Sequence, residues 1–213
     1  MKFDEFLISL SKIKNIELPG ETSHFKMVPP FRQELLKIQQ EAIKSAKNAS
    51  VLALFYPDFD AQTKFILILR KSYKGVHSAQ VSFPGGKPEK ADTSFEVTAL
   101  RETYEEVGVP INNINIVKKL SQVYIPPSNF NVHPFIGVAH KTLNFIKQED
   151  EVEAILEIPL SHFLDDNSVI IKTVATSYSV EVEVPAFKLN NHVVWGATAM
   201  VLSEIKDLLK QLI

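Results

Sequence analysis

The period of the hydrophobic positions changes several times along the chain, and each change predicts an element. In "MKFDEFLISLSKI", Phe3, Phe6, Leu7, Leu10 and Ile13 recur at three- and four-residue steps, the spacing of an amphipathic helix that ends before "ELPGE" and packs on the body. A second helix is predicted from about Phe31 to Lys47, entered after "VPP". The runs then shorten: "VLALFY" (51–56) and "KFILILR" (64–70), joined by "PDFDAQT", read as a hairpin. Further strands are predicted within 114–125, 131–140, 168–175, 179–189 and 192–196. Alternation is clearest in "SVEVEVPAF", where Val180, Val182 and Val184 share one face and Glu181 and Glu183 the other. A closing helix over roughly 197–212 carries Met200, Val201, Ile205, Leu208, Leu209 and Leu212 as a wide apolar stripe. Helices at both ends and in the middle of a mostly β body predict an α/β fold with helices on both faces of a mixed sheet.

Residues 83–109, "FPGGKPEKADTSFEVTALRETYEEVGV", carry the candidate chemistry. Thr93 and Glu96 have the spacing of a capping box, so a helix begins at about Ser94, and Gly108 offers the left-handed cap that ends it. Val97, Leu100, Tyr104 and Val107 would face the core, while Glu102, Glu105 and Glu106 stand at i, i+3 and i+4 on one flank. Like charges at that spacing repel by roughly 0.2–0.5 kcal/mol per pair. Either Arg101 and nearby lysines offset this on a solvated face, or a cation does. The loop favours the cation: Pro84 fixes one backbone angle, and Gly85 and Gly86 tolerate positive φ, so a carbonyl can turn towards the helix. Carboxylates plus a carbonyl suit Mg²⁺ or Mn²⁺, ions that keep several waters and complete their shell with phosphate oxygens.

Composition narrows the field. With 213 residues, 45% hydrophobic and 23% charged, the chain is of ordinary globular type, and one domain over 1–213 with an N-terminal helical extension (about 1–48) is expected. A net charge of -2 gives no broad basic surface, so a small-molecule partner is expected rather than nucleic acid. The absence of cysteine excludes disulfides, a thiolate nucleophile and cysteine-held metals, and fits a reducing cytoplasm. Asp4 and Glu5 interrupt the apolar stretch a signal peptide needs, and no apolar run is long enough to span a bilayer, so a cytoplasmic protein without membrane partners is expected.

The stretch "GGKPEKADTSFEVTALRETYEEVGV" resembles the Nudix box, G-x5-E-x7-R-E-U-x-E-E-x-G-U. Gly86, Arg101, Glu102, Glu105, Glu106, Gly108 and Val109 fall on the pattern. Asp92 stands in for its first glutamate, eight residues rather than seven separate it from Arg101, and Thr103 replaces an aliphatic residue. Upstream, "ILILRKSYKGVHSAQVSFPGG" is similar to a second motif of the coenzyme A pyrophosphatase subgroup through Leu67, Arg70, Phe83, Pro84, Gly85 and Gly86. It departs at Ile68, Lys71, Gly75 and Ala79. "FNVHPFIG", "EDEVEAILEIPLSHFL" and "VVWGATAMVL" resemble later segments of that subgroup.

The resemblance implies a Nudix-type α/β/α sandwich and metal-dependent hydrolysis of a diphosphate, first of coenzyme A or an acyl-coenzyme A into phosphopantetheine and adenosine 3',5'-bisphosphate. Hydrolysis of ADP-ribose or a dinucleotide, or a non-catalytic nucleotide-binding module, are its alternatives. It implies Glu102, Glu105, Glu106 and a carbonyl at Gly85 or Gly86 as ligands of Mg²⁺ or Mn²⁺, and Arg101 as the residue orienting a glutamate. The general base is Glu105 or an acid of "QEDEVE", with Glu151 the choice there. Arg70, Lys71, Lys74 and Phe83 fall to the substrate, Lys71 or Lys74 compensating for the arginine absent at Gly75. His133 and Trp195 are expected to be structural, and a homodimer stays open.

Overall fold

The computed structural model describes residues 1–213 apart from 30, 33, 35–37, 73–78, 176–180 and 213. Strands β1 (Lys47–Pro57) and β2 (Thr63–Arg70) form the expected hairpin, with Phe55 opposite Phe65. The other edge of β1 runs parallel to β7 (Phe130–Val138), from Lys47 opposite Phe130 to Phe55 opposite Val138. This long parallel register draws β1 back to Lys47, so the helix predicted to reach that residue ends sooner; its last described part is Gln40–Lys44. The predicted strand over 114–125 is two pieces, β5 (Asn115–Lys119) and β6 (Val123–Ile125), both antiparallel to β7.

Two short strands, β3 (Val81–Ser82) and β4 (Gly85–Gly86), pair with β2 and β1, and β8 (Val152–Pro159) covers the outer edge of β2. The result is an eight-stranded mixed sheet. No strand was predicted at 152–159. Val152, Ala154, Leu156 and Ile158 do alternate with Glu153 and Glu157, but a bulge sets Leu69 opposite Ala154 and Arg70 opposite Val152, so Val152 packs in the layer of the carboxylate helix while Leu156 and Ile158 pack in the other. A separate antiparallel meander comprises β9 (Val169–Ala175), β10 (Glu181–Leu189) and β11 (His192–Val194). Val180 lies outside the described residues. Glu181 and Glu183 are exposed and Val184 is buried, as the alternation requires.

Alternation along β1 and β2 divides the core into two layers. Ala53, Phe55, Phe65 and Leu67 pack against the first helix (Phe3–Ile13) and the last (Ala197–Lys210), while Leu52, Leu54, Ile66 and Ile68 pack against the carboxylate helix, Phe95–Val107. The expected α/β/α sandwich is therefore present. The aromatic ring of Phe6 lies 5.0 Å from Phe55, so the first helix is part of the core. The segment after it is tied to the last helix: Lys26 Nζ bonds Asp207 at 2.7 and 2.8 Å, the Ser23 hydroxyl donates to Asp207, and the Gly20 N–H donates to Glu204 at 3.2 Å.

Candidate active site

The carboxylate helix starts one residue from where the capping box placed it. Ser94 is the N-cap and its hydroxyl accepts the Val97 N–H at 3.2 Å; Gly108, at φ 74°, closes the other end. The buried stripe differs from the apolar spacing. Thr98, Ala99, Thr103, Glu106 and Val107 are buried, whereas Val97 and Leu100 are half-buried and Tyr104 is 52% exposed. Three polar side chains can face inwards because each has a partner, the Thr98 hydroxyl donating to Asp92 at 2.9 Å. The Thr103 hydroxyl donates to the Ala99 carbonyl at 2.7 Å, and Glu106 Oε2 accepts the Gly85 N–H at 2.8 Å. Thr103 thus tolerates an aliphatic position by satisfying itself within the helix.

The three glutamates are not equivalent. Glu106 is 2% exposed, and Arg70 Nη1 lies 3.4 Å from its Oε1. Burial is the main cause that raises its pKa to about 8; the Gly85 N–H and Arg70 oppose the rise, and the charges of Glu102 and Glu151 add to it. Glu102 is also raised, first by burial, then by Glu105 and Glu151, against the pull of Arg101. Glu105 points outwards, with its side chain 49% exposed.

Arg101 gathers these groups. Its Nη1 bonds Glu105 at 2.8 Å and its Nη2 bonds Glu102 at 3.1 Å and the Lys87 carbonyl at 3.0 Å. Asp92 fixes the guanidinium from behind, at 3.1 Å to Nε and 3.0 Å to Nη2, and Arg101 in turn holds the Asp92 carboxyl down to about 2. The shorter acid, set one residue further back, still reaches because Asp92 also caps the turn, accepting the Glu89 N–H and the Thr98 hydroxyl, each at 2.9 Å.

The glycine loop fits tightly against this helix. A Cβ at Gly86 would collide with the Glu102 carboxylate, and one at Gly85, whose φ is 153°, would collide with the Ser50 carbonyl. An N–H of Gly85, rather than a glycine carbonyl, is what meets a glutamate. Among the described residues no three carboxylates converge into a ready cage for an ion.

Gly85 and Gly86 also border a cavity of about 930 Å³. Arg70, Lys71, Lys87 and Glu151 are among its charged lining residues, and Phe83, Val184, Met200 and Val201 among its apolar ones. Arg70, Lys71, Phe83, Gly86 and Glu151 are therefore brought together, while Lys74 lies outside the described residues. Phe83 is buried in the core as well as facing the cavity. Trp195 also lines the cavity, half-buried, and is not simply packed at a strand end. His133 is structural, its ring stacked on Phe95 at 3.8 Å and its Nε2 3.0 Å from Asn48. Ser82 was not singled out in the sequence. Its hydroxyl oxygen is buried without a partner among the described residues, in a residue that lines the cavity.

An α/β/α sandwich in which an arginine organises a carboxylate helix against a glycine loop offers hard oxygen ligands beside cationic side chains, a setting suited to phosphate chemistry. The chain is a member of the Nudix family: the NUDIX domain model matches residues 47–173. It is 31% identical to Nudix hydrolase 22, chloroplastic, of Arabidopsis thaliana, over 92% of this chain and 70% of that protein. To an uncharacterized Nudix hydrolase NudL of Enterobacter sp. (strain 638) it is 30% identical, over 70% of this chain and 73% of that one. A Nudix hydrolase from M. smegmatis, RenU, shares the fold with a TM-score of 0.54 at 14% identity, over 79% of this chain and 88% of that one. The protein is thus a Nudix hydrolase, an enzyme acting on nucleoside diphosphates linked to a further group. No described helix is long and apolar enough to cross a membrane.

Proposed function

We propose that the protein hydrolyses the diphosphate of coenzyme A or an acyl-coenzyme A, releasing the phosphopantetheine half and adenosine 3',5'-bisphosphate, with Mg²⁺ or Mn²⁺ as cofactor in a cytoplasmic setting. The observation that carries this reading is the lining of the cavity, in which Arg70, Lys71, Lys87 and Glu151 stand together with apolar residues such as Phe83, Val184, Met200 and Val201. A substrate with a charged diphosphate and a long, weakly polar arm matches both parts of that lining. The Ser82 hydroxyl, buried without a partner among the described residues, suits an amide along such an arm.

The acidic end fits a divalent ion. Burial and the charges of neighbouring carboxylates raise both Glu102 and Glu106, and a cation relieves both. Mg²⁺ needs only one or two carboxylates when substrate phosphates complete its shell, so the absence of a closed cage is no obstacle. Glu102 and Glu106 would hold the ion with help from Glu105 and the Gly86 carbonyl. Bound there, it supplies charge neutralisation at the diphosphate and a more acidic water.

The chain's own groups do the rest. Arg101, locked by Asp92, sets Glu102 and Glu105. Arg70 and Lys71 take phosphate oxygens from the cavity side, a task to which Lys74 is also assigned. Glu151 serves as base in preference to Glu105, because it borders the cavity while Glu105 is turned outwards and paired with Arg101. The water oxygen bonds phosphorus, the bridging P–O bond breaks with its electron pair going to the departing phosphate, and the water's proton goes to Glu151.

Product analysis by mass spectrometry after incubation with coenzyme A, ADP-ribose and a dinucleotide panel tests the assignment. Phosphopantetheine release that is lost in Glu106→Gln is expected. Cleavage of ADP-ribose or a dinucleotide with coenzyme A left intact would keep the acidic end and discard the substrate.

A further inference from the structure

We infer that Gln148 is a positioning residue that clamps the loop bearing Glu151 to the end of the carboxylate helix, so that the base is held ready for the proton. The inference rests on the proposed role of Glu151. Left to itself, the run Glu149, Asp150, Glu151 is a set of adjacent like charges in an exposed loop, which repels itself and has no reason to hold one conformation.

Gln148 supplies the order with three of its groups. Its backbone N–H donates to the Glu106 carbonyl at 3.1 Å, and its own carbonyl accepts the Val152 N–H at 3.0 Å. Its side-chain Oε1 accepts two N–H groups at once, those of Asp150 and Glu151, each at 2.7 Å. An amide oxygen has two lone pairs and can do this without adding charge. The carbonyl of Glu151 is fixed separately by the Lys71 N–H at 2.9 Å, and the loop is anchored one step earlier by the Ile146 N–H on the Val107 carbonyl at 3.0 Å.

Glu151 is therefore pinned at both its N–H and its carbonyl, to a residue that reads the last turn of the helix carrying Glu102 and Glu106. The charge of Glu151 is felt by both of those carboxyls. The helix that would hold the ion and the loop that would hold the base meet at Gln148, whose backbone N–H bonds the helix and whose neutral side chain orders the loop.

Four proteins test this: Gln148→Met, Gln148→Glu, Glu151→Gln and the double variant Gln148→Met with Glu151→Gln. Each is assayed on coenzyme A and ADP-ribose with Mn²⁺, and by amide hydrogen exchange across 146–152. Gln148→Met should lower kcat roughly 10- to 100-fold through misplacement of the base, with KM and the affinity for Mn²⁺ within about twofold. Gln148→Glu keeps an acceptor for both N–H groups and should recover most of that loss. The double variant should be no slower than Glu151→Gln alone, because both changes remove the same contribution. The amides of Asp150 and Glu151 should exchange faster in Gln148→Met but not in Gln148→Glu. Native exchange and native kcat in Gln148→Met, beside an impaired Glu151→Gln, would overturn the clamp and leave the base in place. A fully active Glu151→Gln, or no turnover of either substrate by the native protein, would remove the base assignment and the clamp with it.

Discussion

Two glutamates are buried among the described residues, and their surroundings treat them in opposite ways. Glu204, on the last helix, is 0% exposed, yet its pKa is held below the ordinary carboxylate value. Burial pushes it up, but the His24 ring at 3.3 Å and the Ser121 N–H at 3.1 Å outweigh that, and the Gly20 N–H accompanies them at 3.2 Å. Glu106 is almost as buried but has one backbone N–H and a guanidinium at 3.4 Å, and its pKa rises to about 8. Equal burial with unequal partners separates the two roles. Glu204 is a finished structural contact between the ends of the chain, whereas Glu106 is left short of positive charge behind Gly85 and Arg70, which line the cavity. That shortfall is what a bound cation would supply.

Glu106→Gln tests this contrast with the largest effect. Loss of the charge should lower kcat/KM by roughly 10³-fold, the scale of a lost electrostatic contact in an active site, while the protein still folds. The pH dependence of stability separates the glutamates further. In the metal-free protein Glu106 binds a proton more readily folded than unfolded, so its contribution is fully present below the ordinary glutamate value of 4.5 and is lost as pH rises towards about 8. Glu204 contributes the other way, above its unfolded value, and that contribution fades as pH falls through its lowered folded value. Thermal melts from pH 4 to 9 should show Glu106→Gln removing the alkaline decline, with Mg²⁺ raising the melting temperature of the native protein and not of the variant. An unchanged slope would mean that Glu106 titrates like an exposed acid.

Asp92→Asn is the next test. Asp92 touches no cavity-lining group, yet it holds Arg101, which holds Glu102 and Glu105. Loss of such a supporting contact typically costs about 10- to 100-fold in activity or metal affinity, and calorimetric titration with Mn²⁺ should show this even without substrate. Binding and turnover at native levels would show that Arg101 keeps its place through the Lys87 carbonyl and the helix alone.

These effects also mark what could be read from the sequence. The carboxylate helix, its cap at Gly108 and the glycine turn are local, so their spacing reveals them. Hydrophobic spacing nonetheless misplaced the buried face of that helix, because it counts Thr103 and Glu106 as outward-facing; only the Ala99 carbonyl and the distant Gly85 N–H make them acceptable inside. The same limit applies to β8, whose alternating apolar residues are divided between the two core layers by a bulge, and to the cavity. The cavity wall joins Phe83 with Val184, Trp195 and Met200, residues far apart in the chain with no periodic signal in common. Glu204 was invisible for the same reason, since its partners Gly20, His24 and Ser121 lie at least 83 positions away.

Glu204→Gln should affect stability more than chemistry. The Gly20 N–H bonds Oε1 and the Ser121 N–H bonds Oε2, so the amide keeps an oxygen for one of them and brings donors to the place where the other oxygen accepted. A buried hydrogen bond left unmade costs about 2 kcal/mol. The expected result is a lower denaturant midpoint with kcat unchanged, the reverse of the Glu106→Gln pattern. A loss of kcat in Glu204→Gln at full folding would undo the division between the two acids.

The smallest effect is expected at the apolar lining of the cavity. Trp195 lies well away from Glu106 in the sequence and lines the same cavity as Glu151. Trp195→Ala removes apolar surface from the wall, which for a substrate with a long arm should raise KM by roughly 10-fold, the scale of modest changes in apolar contact. The chemical step uses none of that surface, so kcat should hold. A shorter diphosphate that never reaches Trp195 should show neither change, and comparing coenzyme A with such a compound makes the test internal. If both substrates lose kcat equally, Trp195 supports the fold of the acidic end and the two ends are not separable. If KM rises for the long arm alone, the two ends contribute independently, binding energy from one and reaction chemistry from the other.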